Sequence, residues 1–77
     1  MPLAHPVRDH VDDVTLRTRD DARRYMTALP DRRASRAQWQ AAARLMLEGA
    51  SAEAVTRQLE FALLMEGRLD LRIASQR

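Results

Sequence analysis

Apolar residues recur at helical spacing in three stretches of this chain and alternate with polar ones in three shorter stretches. Ala22, Tyr25, Met26 and Leu29 fall at i, i+3, i+4 and i+7, one face of a helix of about three turns. Thr18 is a good N-cap for it, Asp20 and Asp21 suit its first turn, and Pro30 ends it, predicting a helix over 19–29. Trp39, Ala42, Ala43 and Met46 repeat the spacing in a second helix, 36–48. It opens on the capping-box pattern Ser35-Arg36-Ala37-Gln38 and closes at Gly49. Ser51 caps a third helix, 52–66, which Gly67 stops. Gly49 and Gly67 are the only glycines in the chain, and both fall where a left-handed residue after a helix is wanted.

The third helix differs from the other two. Val55, Leu59, Ala62 and Leu63 form one stripe, while Phe61 and Leu64 project roughly the opposite way at 100° per residue. A helix apolar on two sides is either central in a fold or shared with a partner. Phe61, Leu64 and Met65 are therefore the candidate interface, with Glu53, Arg57 and Glu60 as its expected polar rim.

Alternation marks the strands. Residues 1–6 hold two prolines and read as an irregular lead-in, and 7–17 read as a hairpin turning at Asp12-Asp13. Leu69-Asp70-Leu71-Arg72-Ile73 alternates strictly, predicting a third strand over 69–73 and a tail over 74–77. The expected fold is a single small α+β domain, three helices packed on a short antiparallel sheet in the order β-β-α-α-α-β.

Size raises the question of a partner. A domain of 77 residues buries about 60% of its unfolded surface and is marginal without a staple. Cysteine is absent, which removes disulfides and thiolate metal sites and leaves oligomerisation as the expected supplement. The longest apolar run, Phe61 to Met65, is far short of the ~20 residues that span a bilayer, so no membrane partner is expected. There is no secretory h-region, and a cytoplasmic location is the expectation.

Charge adds a second candidate. All 13 basic residues are arginine, a usage that fits a GC-rich bacterial genome or selection for bidentate anion contacts. Arg17 to Arg44 carries eight arginines against Asp20, Asp21 and Asp31, whereas 51–67 carries three glutamates and one arginine. Arg23, Arg24, Arg32, Arg33 and Arg36 surround the connector between the first two helices and form the candidate anion or nucleic-acid patch. No exposed aromatic is expected beside them for base stacking, since Tyr25 sits on the apolar face. The two helices around Gly49 superficially suggest helix-turn-helix, but a reading helix should be polar and the second is the most apolar in the chain.

Other chemistry finds little support. His10 and Asp12 would share a strand face, yet no zinc-type spacing is present. Ser35 and Ser51 are explained as caps, and neither a G-x-S-x-G element nor a glycine-rich phosphate loop occurs. The expectation is a protein without catalytic residues, cofactor or metal.

The chain also resembles a family, the short proteobacterial proteins grouped as domain of unknown function 982. The likeness rests on His5-Pro6-Val7, on Asp21-Ala22 opening a helix that runs to Leu29-Pro30, and on Leu45-x-Leu47-Glu48-Gly49. It continues through Ser51-x-Glu53-Ala54, Phe61-Ala62 and the closing Gly67, covering roughly 5–73. The family usually has Trp-Pro where this chain has Leu29-Pro30, and often a cysteine in the middle helix. The resemblance implies a small α+β domain, no established activity and no catalytic residue to carry over. The leading expectation for function is a non-catalytic module that associates with itself. The alternative is a small arginine-rich protein that binds nucleic acid or another anion.

Overall fold

A computed structural model describes residues 1–71. It contains two strands, β1 (Pro2–Asp9) and β2 (Val14–Thr18), then α1 (Arg19–Thr27), a single-turn α2 (Asp31–Ala34), α3 (Ala37–Leu47) and α4 (Ala52–Met65). The α+β architecture of a hairpin followed by helices is as the sequence predicts.

The hairpin forms and extends further back than its apolar alternation indicates. Val7, Arg8 and Asp9 pair with Leu16, Thr15 and Val14, and beyond an irregularity Pro2 pairs with Thr18. Residues 1–6 are therefore largely strand and not an irregular lead-in. Pro6, which has no N–H to give to a ladder, lies within the irregular stretch. There the Ala4 amide leaves the sheet and donates to Thr56 Oγ1 of α4 at 2.9 Å. Leu3, Val7 and Leu16 face inward and meet Val55, Leu59, Ala62 and Leu63 of α4 with Trp39 and Ala42 of α3. The first stripe of α4 is thus the centre of the core, between α3 and β1.

Local signals explain most helix ends. Thr18 caps α1 in a complete capping box: its Oγ1 accepts from the Asp21 amide at 3.0 Å, and Asp21 Oδ2 accepts from the Thr18 amide at 3.2 Å. Ser51 Oγ accepts from the Ala54 amide at 3.1 Å. Gly49 and Gly67 have φ of 71° and 68° and close α3 and α4 as Schellman turns. In the second turn the Arg68 amide donates to Leu63 O at 2.8 Å and the Gly67 amide to Leu64 O at 3.0 Å. That reversal carries Arg68 back toward the hairpin.

Two further expectations are corrected. Ser35 does not cap the middle helix. Pro30, fixed near φ −60°, starts an extra turn at 31–34, and Ser35 is consumed as its C-cap. Arg36 then precedes α3 without any side-chain cap. The second correction concerns the strand over 69–73. Leu69 makes only an isolated bridge to Asp9, and Leu71 is not in a strand. Burial does not alternate as expected either: Leu69 packs against the edge of the core, the Asp70 carboxylate is buried with Arg8 Nε at 3.2 Å, and Leu71 is exposed. Arg72, Ile73 and the expected tail over 74–77 lie outside the described residues.

Candidate functional site

The candidate interface lies on the side of α4 away from the core. Phe61, Leu64 and Met65 are 51%, 53% and 59% exposed, and their i, i+3, i+4 spacing places them on one face. The hairpin covers the opposite stripe and leaves this one open. Its rim is less acidic than the sequence indicates. Glu53 and Arg57 are exposed, but Glu60 Oε2 is held by His5 Nε2 at 2.8 Å and is mostly covered. The charged group left at the edge of the apolar strip is the Arg57 guanidinium, beside Ala54 and Gln58.

The five candidate anion-binding arginines separate into different roles. Arg33 turns inward from α2. Its Nη2 donates to Glu66 Oε1 at 2.6 Å and to the Tyr25 hydroxyl at 2.9 Å, with Nε 3.1 Å from the same Glu66 oxygen. Its guanidinium lies 5.7 Å from the Tyr25 ring centre and 5.8 Å from that of Trp39. Arg36 Nη1 sits 3.6 Å from Glu66 Oε2, the oxygen that also accepts from Trp39 Nε1 at 3.0 Å. Trp39 thus has the partner its buried indole requires. Arg23 and Arg24 share a single carboxylate, Asp20, with Arg24 Nη2 at 2.6 Å. Arg32 is exposed, and its side chain has no hydrogen-bonding or ionic partner among the described residues.

Arg33 belongs to a polar chain that crosses the molecule. The Tyr25 hydroxyl donates to Asp9 Oδ2 at 2.6 Å, and Arg68 Nε donates to the same oxygen at 3.0 Å. Asp9 Oδ1 accepts from the amides of Val11 and Asp12 at 2.9 and 3.2 Å, which shapes the hairpin turn around Asp13 at φ 57°. Burial alone would raise the Asp9 carboxyl. The bonds from Tyr25, the Asp12 amide, Arg68 and the Val11 amide outweigh it and hold the group below the usual carboxylate range. Glu66 behaves alike: burial pushes it up, and Arg33, Trp39 and Arg36 pull it down further. Burial, then the bond to Asp9, raises the Tyr25 hydroxyl. Arg33 is raised because its bonds to Glu66 and Tyr25 exceed its desolvation. Hairpin, α1, α2, α3 and the end of α4 are joined by satisfied charge, which is what a rigid scaffold needs.

Sequence reasoning missed this network. Apart from the bonds of Asp9 to the nearby Val11 and Asp12 amides, the partners of Asp9 and Glu66 are remote in the chain. The one available signal was the need of a buried Trp39 for an acceptor. His10 and Asp12 both fall in the hairpin turn, apart in role: His10 Nε2 bonds Gly67 O at 3.0 Å, and Asp12 Oδ2 takes Arg68 Nη2 at 2.6 Å. Among the described residues no group of three or more His, Cys, Asp or Glu side chains is arranged to hold a metal ion. No helix among them is long and apolar enough to cross a membrane.

Two concave surfaces flank α1. A groove of about 410 Å³ between α1 and α3 is lined by Met26, Leu29, Trp39, Ala43 and Met46. A cleft of about 710 Å³ opens on the other side, beside β2 and α2. No family model matches the chain, and neither curated proteins nor solved structures give a match.

Proposed function

We propose that this protein is a small non-catalytic interaction module that associates with itself through the outer face of α4. The observation that carries the reading is the exposure of Phe61, Leu64 and Met65 on one face of a helix whose opposite stripe is fully used in the core. Three such side chains leave on the order of 300 Å² of apolar surface open to water per copy. From Phe61 to Met65 the strip carries no charge, so it meets its own copy without like-charge repulsion. Pairing two strips with their Ala54, Arg57 and Gln58 flanks approaches about 1,000 Å² in total, the small end of specific interfaces. The expected dimer is therefore of micromolar strength. The likeness to domain of unknown function 982 belongs to the same proposal and adds no activity to it. Cysteine-free, arginine-based chemistry fits a bacterial cytoplasmic protein.

The test is light-scattering mass of the nuclease-treated chain at low and high salt, beside the variant Phe61→Asp with Leu64→Asp. Both positions are exposed, so the variant keeps the helical circular dichroism of the parent. The parent's mass should rise toward two chains with concentration, independently of salt, and the variant should stay at one. A parent that is monomeric at about 100 µM, some tenfold above the expected constant, sinks the proposal. So does a variant that keeps the parent's mass.

A further inference from the structure

The outer face of α4 is not uniform along its length. Its N-terminal half holds a shallow hollow lined by four side chains, Ala54, Arg57, Gln58 and Phe61. Their spacing is i, i+3, i+4 and i+7, the four corners of the hole that one helix offers to a knob from another. The hollow is open for local reasons. Ala54 fills its corner with a methyl group alone. The Gln58 side chain is drawn aside toward α3, where its Nε2 donates to Gln38 O at 3.0 Å. The exposed Arg57 guanidinium makes no bond among the described residues, so nothing pulls it across the opening. One turn beyond the hollow stand Leu64 and Met65, the two most exposed apolar side chains of α4.

Hole and knobs thus sit at opposite ends of one face. A twofold pair whose helices run the same way sets every residue against its own copy. That places hole on hole, knob on knob and Arg57 against Arg57. A pair that turns about Phe61 with the helices reversed lets the knobs of each copy enter the hole of the other at once. We propose that a second copy docks on α4 in this reversed orientation. Phe61 meets Phe61 at the twofold axis, Leu64 packs beside Arg57 of the second copy, and Met65 packs beside its Gln58. The inference rests on self-association through α4 and adds the orientation and register of the pair. Two further effects favour it. The Arg57 guanidiniums lie about 12 Å apart along the helix axes at 1.5 Å per residue, and the helix dipoles oppose. Ala54 sets the depth of the hole and is the residue on which fit depends.

The test is a choice of partner between two single-cysteine variants, Arg57→Cys and Leu64→Cys. Both positions are exposed, so each variant keeps the helical circular dichroism of the parent. The two are mixed in equal amounts at about 100 µM, above the expected dissociation constant, in a glutathione redox buffer. Disulfide-linked chains are then sorted by mass. The reversed register brings the Arg57 and Leu64 positions of different copies side by side and keeps like positions apart along the axis, and a disulfide forms only between close neighbours. The mixed product should therefore exceed either like product at least about tenfold. Like products in excess, or products in random proportion, overturn the reversed orientation while self-association stands. A parent that light scattering finds monomeric removes the reading beneath it and the inference with it. Ala54→Leu gives a second check without cysteine, since it fills the hole and should weaken association at least about tenfold. Association as strong as the parent's in that variant overturns the knob-and-hole fit.

Discussion

Replacing Glu66 with alanine removes an acceptor that α2, α3 and the end of α4 share. Its side chain is 5% exposed, and the Arg33 side chain it pairs with is 13% exposed. Breaking a buried ion pair from one side costs about 3–5 kcal/mol, because the other charge is left uncompensated. Arg33 keeps the Tyr25 hydroxyl and some contact with water, which lowers its share to about 2 kcal/mol. The Trp39 N–H loses its acceptor, adding about 1 kcal/mol. A total near 3 kcal/mol is a large part of the stability of a 77-residue domain, which is on the order of 4–12 kcal/mol. The melting temperature should fall by about 12–20 °C. Trp39 is the only tryptophan, so urea unfolding followed by its fluorescence reports directly on the residue that Glu66 holds. Glu66→Gln, which still offers Trp39 an oxygen, should lose about half as much. A double-mutant cycle with Arg33→Met should show a coupling of at least about 1.5 kcal/mol. A loss below about 1 kcal/mol for Glu66→Ala, or equal losses for Arg33→Met with and without Glu66, would refute the view that this pair braces the helices.

Acid should act on the same network. Asp9 and Glu66 are held below their ordinary range when folded, so the unfolded chain binds more protons as pH falls. Their contribution is complete above the unfolded value of about 4 and drains away below it, so the urea midpoint should drop between pH 5 and 3; a flat midpoint across that window contradicts the assignment. Tyr25 acts in the opposite sense, since its raised hydroxyl stabilises the fold below pH about 10 and that support is lost as pH climbs further. The two candidate caps should also part company under mutation. Ser51→Ala should lose about 1 kcal/mol, whereas Ser35→Ala, whose hydroxyl only reaches Arg32 O at 3.4 Å, should stay within about 0.3 kcal/mol, and similar losses would mean that the capping geometry is misassigned.

The parts of the fold legible in the sequence are those set by neighbours a few residues apart. Thr18, Ser51, Gly49 and Gly67 act through bonds to residues within one turn, and all four sit where the local pattern puts them. The stripe Val55, Leu59, Ala62 and Leu63 was legible for the same reason, and so was the opposite-facing set Phe61, Leu64 and Met65. Ser35 misled because its pattern competes with a stronger local instruction, the proline at position 30 that starts a turn of its own. Leu69 to Leu71 misled because alternation carries no information on which remote groups a segment will meet. A distant cation, Arg8, holds the Asp70 carboxylate in the buried layer. The arginine cluster was legible as composition and not as function. Proximity in sequence could not separate Arg33, tied to a carboxylate 33 residues away, from Arg32 next to it, which points to water.

Self-association through α4 is tested most directly by position. The chain contains no cysteine, so one introduced at Leu64 is a unique chemical handle, and one at the exposed Arg44 of α3 is its control. Each variant would be treated with a short bifunctional maleimide at about 50 µM protein, above the expected dissociation constant, and the yield of joined chains read on a denaturing gel. The account predicts efficient joining through Leu64→Cys, little through Arg44→Cys, and loss of joining when Phe61→Asp is added. Equal yields at the two positions, or none at Leu64→Cys, would contradict it.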